Sequence, residues 1–364
     1  MSLFILSFLA SLFATLAVVR SSAFHARISA DHDFSGPQKF HASPVPRIGG
    51  IGVVMAMAAG GIAAEAFQSE GSRGLWLILV CAAPAFIVGI AEDLTKKVAA
   101  RWRLLATALS AVMAVWLLEA VLPRTHIPGV DTLMTMWPFA VALTLLCVTG
   151  VANAVNIIDG FNGLASMCVM MMMLAIAYVA FQVNDVFVAQ VALISAGAIL
   201  GFFVWNFPAG LIFLGDGGAY FIGFVLAELS VLLIARNESV SPLFPLLVCA
   251  YPIFETIFTM YRRRVLRGAA TAAPDGIHLH TLIHRRLIRT NLASYSNERR
   301  QTVRNSMTSP YLWLLCLLSI IPSLLWWNST QVLAVFLLLF IGSYVFLYWR
   351  IVRFKTPRWL GNRR

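Results

Sequence analysis

The chain has 364 residues, 60% of them hydrophobic and only 12% charged, with a net charge of +11. Mean hydropathy is +0.81. So apolar a composition excludes an ordinary soluble domain and predicts an all-α, polytopic membrane protein. The positive balance, which in a soluble chain would suggest nucleic acid, here reflects topology and anionic lipid.

Apolar runs occur at about 2–19, 48–67, 74–91, 104–122, 135–152, 163–183, 186–205, 217–235, 242–260, 310–327 and 330–349, which predicts eleven spans in one integral membrane domain over 1–364. The first run lacks a basic n-region and a clear cleavage site, so it reads as an uncleaved span. Arginine and lysine concentrate in alternate loops, which hold 24 of the 27 basic residues. Basic loops stay in the cytoplasm, so the expected orientation puts the N-terminus in the periplasm and the C-terminus in the cytoplasm of a bacterial inner membrane. A long cytoplasmic loop is expected at 261–309, and two further spans with a basic tail at 310–364. Cys81, Cys147, Cys168, Cys249 and Cys316 lie singly in apolar runs. They read as buried thiols, because no metal or disulfide spacing is present. Met170–Met173 reads as packing.

Polar residues are costly in such a chain unless they act. Five polar clusters break the apolar pattern, and the expected topology puts all of them on the cytoplasmic side. The first runs from Gln38-Lys39-Phe40-His41 to Pro44-Val45-Pro46-Arg47-Ile48-Gly49-Gly50. The second is Glu92-Asp93, followed by Lys96, Lys97, Arg101 and Arg103. Adjacent carboxylates there suit a divalent ion or a proton. The third is Asn153-Ala154-Val155-Asn156-Ile157-Ile158-Asp159-Gly160-Phe161-Asn162-Gly163. Its spacing of three places Asn153, Asn156 and Asp159 on one helical face, suited to a hard cation, a phosphosugar or a base. The fourth, Gly215-Asp216-Gly217-Gly218, offers a carboxylate and free amides to an anion, or simply a helix cap. The fifth, around His278, His280, His284, Arg285 and Arg286, has the donors to clamp phosphate. A zinc site is discounted, since His278-x-His280 lacks further ligands. Acids and cations together suggest metal-assisted phosphoryl transfer at a membrane surface, with a lipid as one substrate.

In this order the clusters resemble the polyprenyl-phosphate N-acetylhexosamine-1-phosphate transferases, over roughly residues 33–290. The resemblance implies that a polyprenyl phosphate attacks the β-phosphorus of a UDP-N-acetylhexosamine and UMP leaves. It implies Mg²⁺ or Mn²⁺, with Asp216 and Asn156 as metal ligands. It further implies catalytic roles for Glu92, Asp93, Asp159 and Asp216. Substrate binding would fall to Asn153, Asn156, His278, His280, Arg285 and Arg286, with Lys39 and Arg103 as candidates for the lipid phosphate. Two departures from the family's pattern, Glu92 in place of Asp and Thr281 in place of His, point away from the peptidoglycan enzyme. They point toward the branch that initiates O-antigen or common-antigen synthesis on undecaprenyl phosphate from UDP-GlcNAc or a 6-deoxy relative. A homodimer is compatible with this reading. The rival is a transporter or flippase of lipid-linked sugars, which would want ionisable residues at mid-membrane, where Glu65, Glu119, Glu228 and Glu255 are the candidates. For Glu255 a structural pairing is expected.

Overall fold

The computed structural model describes residues 1–22, 30–31, 44–69, 71–266, 276–288 and 296–353. The helices are Ser2–Arg20 (α1), Gly50–Ala66 (α2), Ser72–Thr95 (α3), Ala100–Leu117 (α4), Val130–Met134 (α5), Trp137–Ile158 (α6) and Leu164–Gln182 (α7). They continue with Val186–Asn206 (α8), Gly215–Arg236 (α9), Leu243–Val248 (α10), Ala250–Tyr261 (α11), Leu279–Arg286 (α12), Asn297–Leu325 (α13) and Thr330–Val352 (α14). Among the described residues the only strands are Ala30–Asp31 (β1) and Val45–Pro46 (β2), paired antiparallel. The protein is an all-α polytopic membrane protein.

Nine of these helices (α1, α3, α4, α6, α7, α8, α9, α13 and α14) are long and apolar enough to cross a membrane. The other two expected spans take different forms. Residues 48–67 fold as the 17-residue α2. Residues 242–260 divide at Cys249 into α10 and α11. The division has a local cause: Pro252 has no N–H for the Val248 carbonyl, and its ring crowds that oxygen. The expected loop at 261–309 is corrected as well. A π-helical turn covers Arg262–Leu266, α12 follows, and α13 begins at Asn297 rather than near 310. Ser296 caps α13 by accepting the Arg299 N–H. The arginines of its first turns had masked the helix in a hydropathy reading.

The helices divide into a buried centre and a lipid-facing rim. Of the apolar window of α9, 89% is buried, against 17% in α1 and 22% in α14. A helix apolar on all sides belongs inside a bundle, and α2, α3, α6 and α7 pack around α9. Gly50 of α2 meets Gly218 of α9 so closely that a side chain on either would strike the other's backbone. The methionine run fills the core as expected, with Met172 and Met173 fully buried. The cysteines are all free; four are buried, but Cys147 is exposed on an outward face of α6, which corrects the expectation of five buried thiols.

Candidate active site

The first turn of a helix leaves backbone N–H groups without partners. At the start of α9 the partner is Asp93, from the end of α3. Its carboxylate accepts the N–H of Asp216 and of Gly217, each at 2.9 Å. Asp93 is 0% exposed, so these two bonds and one cation are what make its burial tolerable.

That cation is Arg47. The segment ahead of α2 pairs with the turn ahead of α9: Phe213 donates to the Pro46 carbonyl (2.8 Å), while Gly49 and Gly50 donate to the carbonyls of Phe213 and Leu214 (3.0 Å each). This short ladder sets Arg47 between two acids. Its Nε lies 3.5 Å from Asp93, and its Nη2 donates to Asp216 at 3.1 Å. Arg103, in the first turn of α4, pairs with the other Asp216 oxygen and lies over the Tyr220 ring, 5.9 Å from its centre. Gly215 sits at φ +77°, and a β-carbon there would collide with the Arg47 carbonyl and the Asp93 carboxylate. Only glycine lets these pieces meet.

Asp159 closes α6 and lies within electrostatic reach of Arg47 and Asp93. Burial pushes its carboxyl up to about 7; Arg47 opposes the rise and Asp93 adds to it. Three acids far apart along the chain, Asp93, Asp159 and Asp216, therefore gather at one end of the bundle with two guanidiniums among them. Asn153 accepts from the Tyr220 hydroxyl at 3.1 Å. Asn156 is half-buried one turn on, and its carbonyl accepts the Asp159 N–H.

Other predicted residues are tied elsewhere. Glu92 accepts the Val98 N–H at 2.6 Å and closes the turn between α3 and α4. Arg286 donates to the carbonyls of Ile351 and Val352, both at 2.6 Å, where α14 ends. Arg285 is exposed on α12. His280 stacks on His278, ring centres 5.0 Å apart, and meets the Phe161 ring at 5.5 Å. Its imidazole borders Gly160, and so the Asp159 turn. Lys39, with the rest of Gln38–His41, lies outside the described residues. Asn162 and Gly163 anchor α13: the Asn162 N–H donates to Asn305, Ser309 donates to the Asn162 carbonyl, and Trp313 donates to the Gly163 carbonyl.

Two residues matter more here than the sequence suggested. Arg47 stood in a quoted cluster but had no visible partner, because its acids come from α3 and α9. Glu255 was expected to pair, and its partners prove to be on the histidine segment and α14.

A hard divalent cation suits the oxygen donors of Asp216, Asp159 and Asn156. Among the described residues no three His, Cys, Asp or Glu side chains form a metal cage. Such a donor set fits Mg²⁺ held by one or two carboxylates and completed by substrate phosphates.

A multi-pass membrane protein with an acid- and arginine-lined site at one end of its bundle is the class that fold and site define. Residues 75–234 match the family model for Glycosyl transferase family 4, a segment that carries Asp93, Arg103, Asn153, Asn156, Asp159 and Asp216. The chain is 30% identical to a probable undecaprenyl-phosphate N-acetylglucosaminyl 1-phosphate transferase of Bacillus subtilis, over 67% of this chain and 66% of that protein. It is 27% identical to a phospho-N-acetylmuramoyl-pentapeptide-transferase of Latilactobacillus sakei, over 54% of this chain and 65% of the relative. It is 26% identical to an undecaprenyl-phosphate alpha-N-acetylglucosaminyl 1-phosphate transferase of Thermotoga maritima, over 69% and 72%. The chain thus spans about two thirds of the length of the curated relatives it matches.

Proposed function

We propose that this protein transfers an N-acetylhexosamine 1-phosphate from a UDP-sugar to undecaprenyl phosphate. A lipid phosphate oxygen forms a bond to the β-phosphorus, the bond from that phosphorus to the bridging oxygen breaks, and UMP leaves. One observation carries the reading: Asp216, at the start of the most buried helix, is flanked by Arg47 and Arg103, and its N–H is held by Asp93, which with Arg47 lies within electrostatic reach of Asp159.

In this reading Arg47 and Arg103 bind phosphate oxygens, and their planar donors suit such groups. The positive end of α9 faces the same region. Asp216, Asp159 and Asn156 would hold Mg²⁺ or Mn²⁺, which when bound neutralises charge on the diphosphate. Asp93 acts by position: both its oxygens are bonded to the α9 amides, so it fixes that helix start and orients Arg47. A phosphate monoester is already largely ionised near pH 7, so no strong base is required. His280, beside Gly160, is placed to contact the sugar or diphosphate.

The finer assignments belong to the same proposal. The UDP-sugar is UDP-GlcNAc or a 6-deoxy relative, and the product starts an O-antigen-type polysaccharide. N-acetylglucosaminyl transferases among the relatives support that sugar, as do Glu92 and Thr281 at the two divergent positions. The site faces the cytoplasm of a bacterial inner membrane, supported by the basic loops at its end of the bundle.

Purified protein with Mg²⁺, undecaprenyl phosphate and a panel of UDP-sugars should release UMP. Asp216→Asn should lower that release at least about a hundredfold, of the order expected when a preorganised charge is lost, and chelator should abolish it. Full activity in the variant would remove the assignment. Absence of UMP release from wild type with every sugar would favour the transporter reading.

A further inference from the structure

The last helix is tied to α11 and to the histidine segment by four hydrogen bonds. Tyr344 of α14 donates to Glu255 Oε2 at 2.7 Å. Tyr348 donates to the Ile277 carbonyl at 3.2 Å. In return Arg286 caps the final carbonyls of α14. Glu255 is the hub: it is 0% exposed, and its Oε1 accepts from His278 Nδ1 at 3.0 Å and from the Leu279 N–H at 3.1 Å. The hydroxyl of Thr259, one turn further along α11, lies 3.2 Å from the same Nδ1. An ionised carboxylate only accepts, so Nδ1 carries the proton. Nε2 is then the basic nitrogen of that ring, and His280 stacks on it.

We propose that Glu255 is a positioning residue, through which Tyr344 and the last helix fix the tautomer of His278 and the placement of the His278–His280 pair beside Asp159. The proposal rests on the transferase reading for its kinetic consequence, not for its structural one. α11, α12 and α14 all lie outside the matched family segment 75–234, so this support comes from the part of the chain beyond it.

Glu255→Gln keeps the shape and an acceptor but removes the charge. Tyr344→Phe removes one bond and leaves the ring packed on Phe254 and Phe258. In the full-length protein, Glu255→Gln should lower kcat for UMP release about tenfold, as outer supports of a site commonly do, with little change in KM for the UDP-sugar. Tyr344→Phe should lower it about threefold. Nitrogen-15 spectra of labelled protein should show His278 protonated at Nδ1 in wild type and a mixture of tautomers in Glu255→Gln. Unchanged kcat and an unchanged His278 signal in both variants would overturn the inference. If wild-type protein releases no UMP, the transferase reading fails, and the nitrogen-15 signal alone decides whether Glu255 sets the tautomer.

Discussion

At the residue scale the site is a balance of charge that single substitutions should upset in predictable directions. Arg47 stands between two acids, one of them wholly buried. Removing one partner of a buried ion pair costs about 3–5 kcal/mol, because the other is left without compensation. Arg47→Ala should therefore lower the thermal midpoint as well as UMP release, whereas Arg103→Ala, which leaves Asp216 still paired with Arg47, should mainly reduce release. Asp159 offers a test with the opposite sign. Its folded carboxyl titrates at about 7 rather than 3.8, so its contribution to stability is full below 3.8 and is lost as pH rises through about 7. Asp159→Asn should thus be stabilising relative to wild type at about pH 8 and not at about pH 4, while abolishing turnover. A pH series of thermal midpoints measures this directly. His284 runs the other way. Burial, with the Arg304 charge next, lowers it from 6.5 to about 4. Its contribution is present above 6.5 and lost as pH falls through about 4; His284→Gln should flatten that acid limb.

The acids were legible in the sequence because a carboxylate inside a hydropathic chain stands out. Their partners were not. Arg47 pairs with residues in α3 and α9, and no spacing rule reports a contact made by folding. Arg286 illustrates the converse. Its residue type suits phosphate, but the end of α14 offers it carbonyls, and helix termini accept cations well.

At the element scale, nine helices among the described residues qualify as spans where the composition suggested eleven. The differences are local and physical: proline at 252 divides one segment, and the glycine-rich α2 is short. The basic start of α13 was read as loop because hydropathy weighs charge without knowing the capping serine at its N-terminus. Close glycine contact between α2 and α9 makes a further prediction. Gly218→Val should lower stability by about 1–3 kcal/mol, the usual cost of overpacking, seen as a lower midpoint in detergent. Gly150, which has open space around its α-carbon, should tolerate alanine.

At the scale of the whole molecule, orientation is open to a direct test. A single cysteine placed at Lys97 should be shielded from a membrane-impermeant thiol reagent in intact cells. One placed at His126 should react. The reverse pattern would put the proposed site on the periplasmic side.

The opposite end of α9 is held too. Arg124 donates to the carbonyls of Ile234, Asn237, Glu238 and Val240. Asp93 and Arg124 are therefore two external clasps, both contributed by stretches that leave the ribosome before α9 does. During synthesis the receiving cradle waits, and a nascent chain released before residue 217 has nothing for Asp93 to hold. Both ends of α9 should consequently lock late and together, once that helix has been made, instead of tightening span by span.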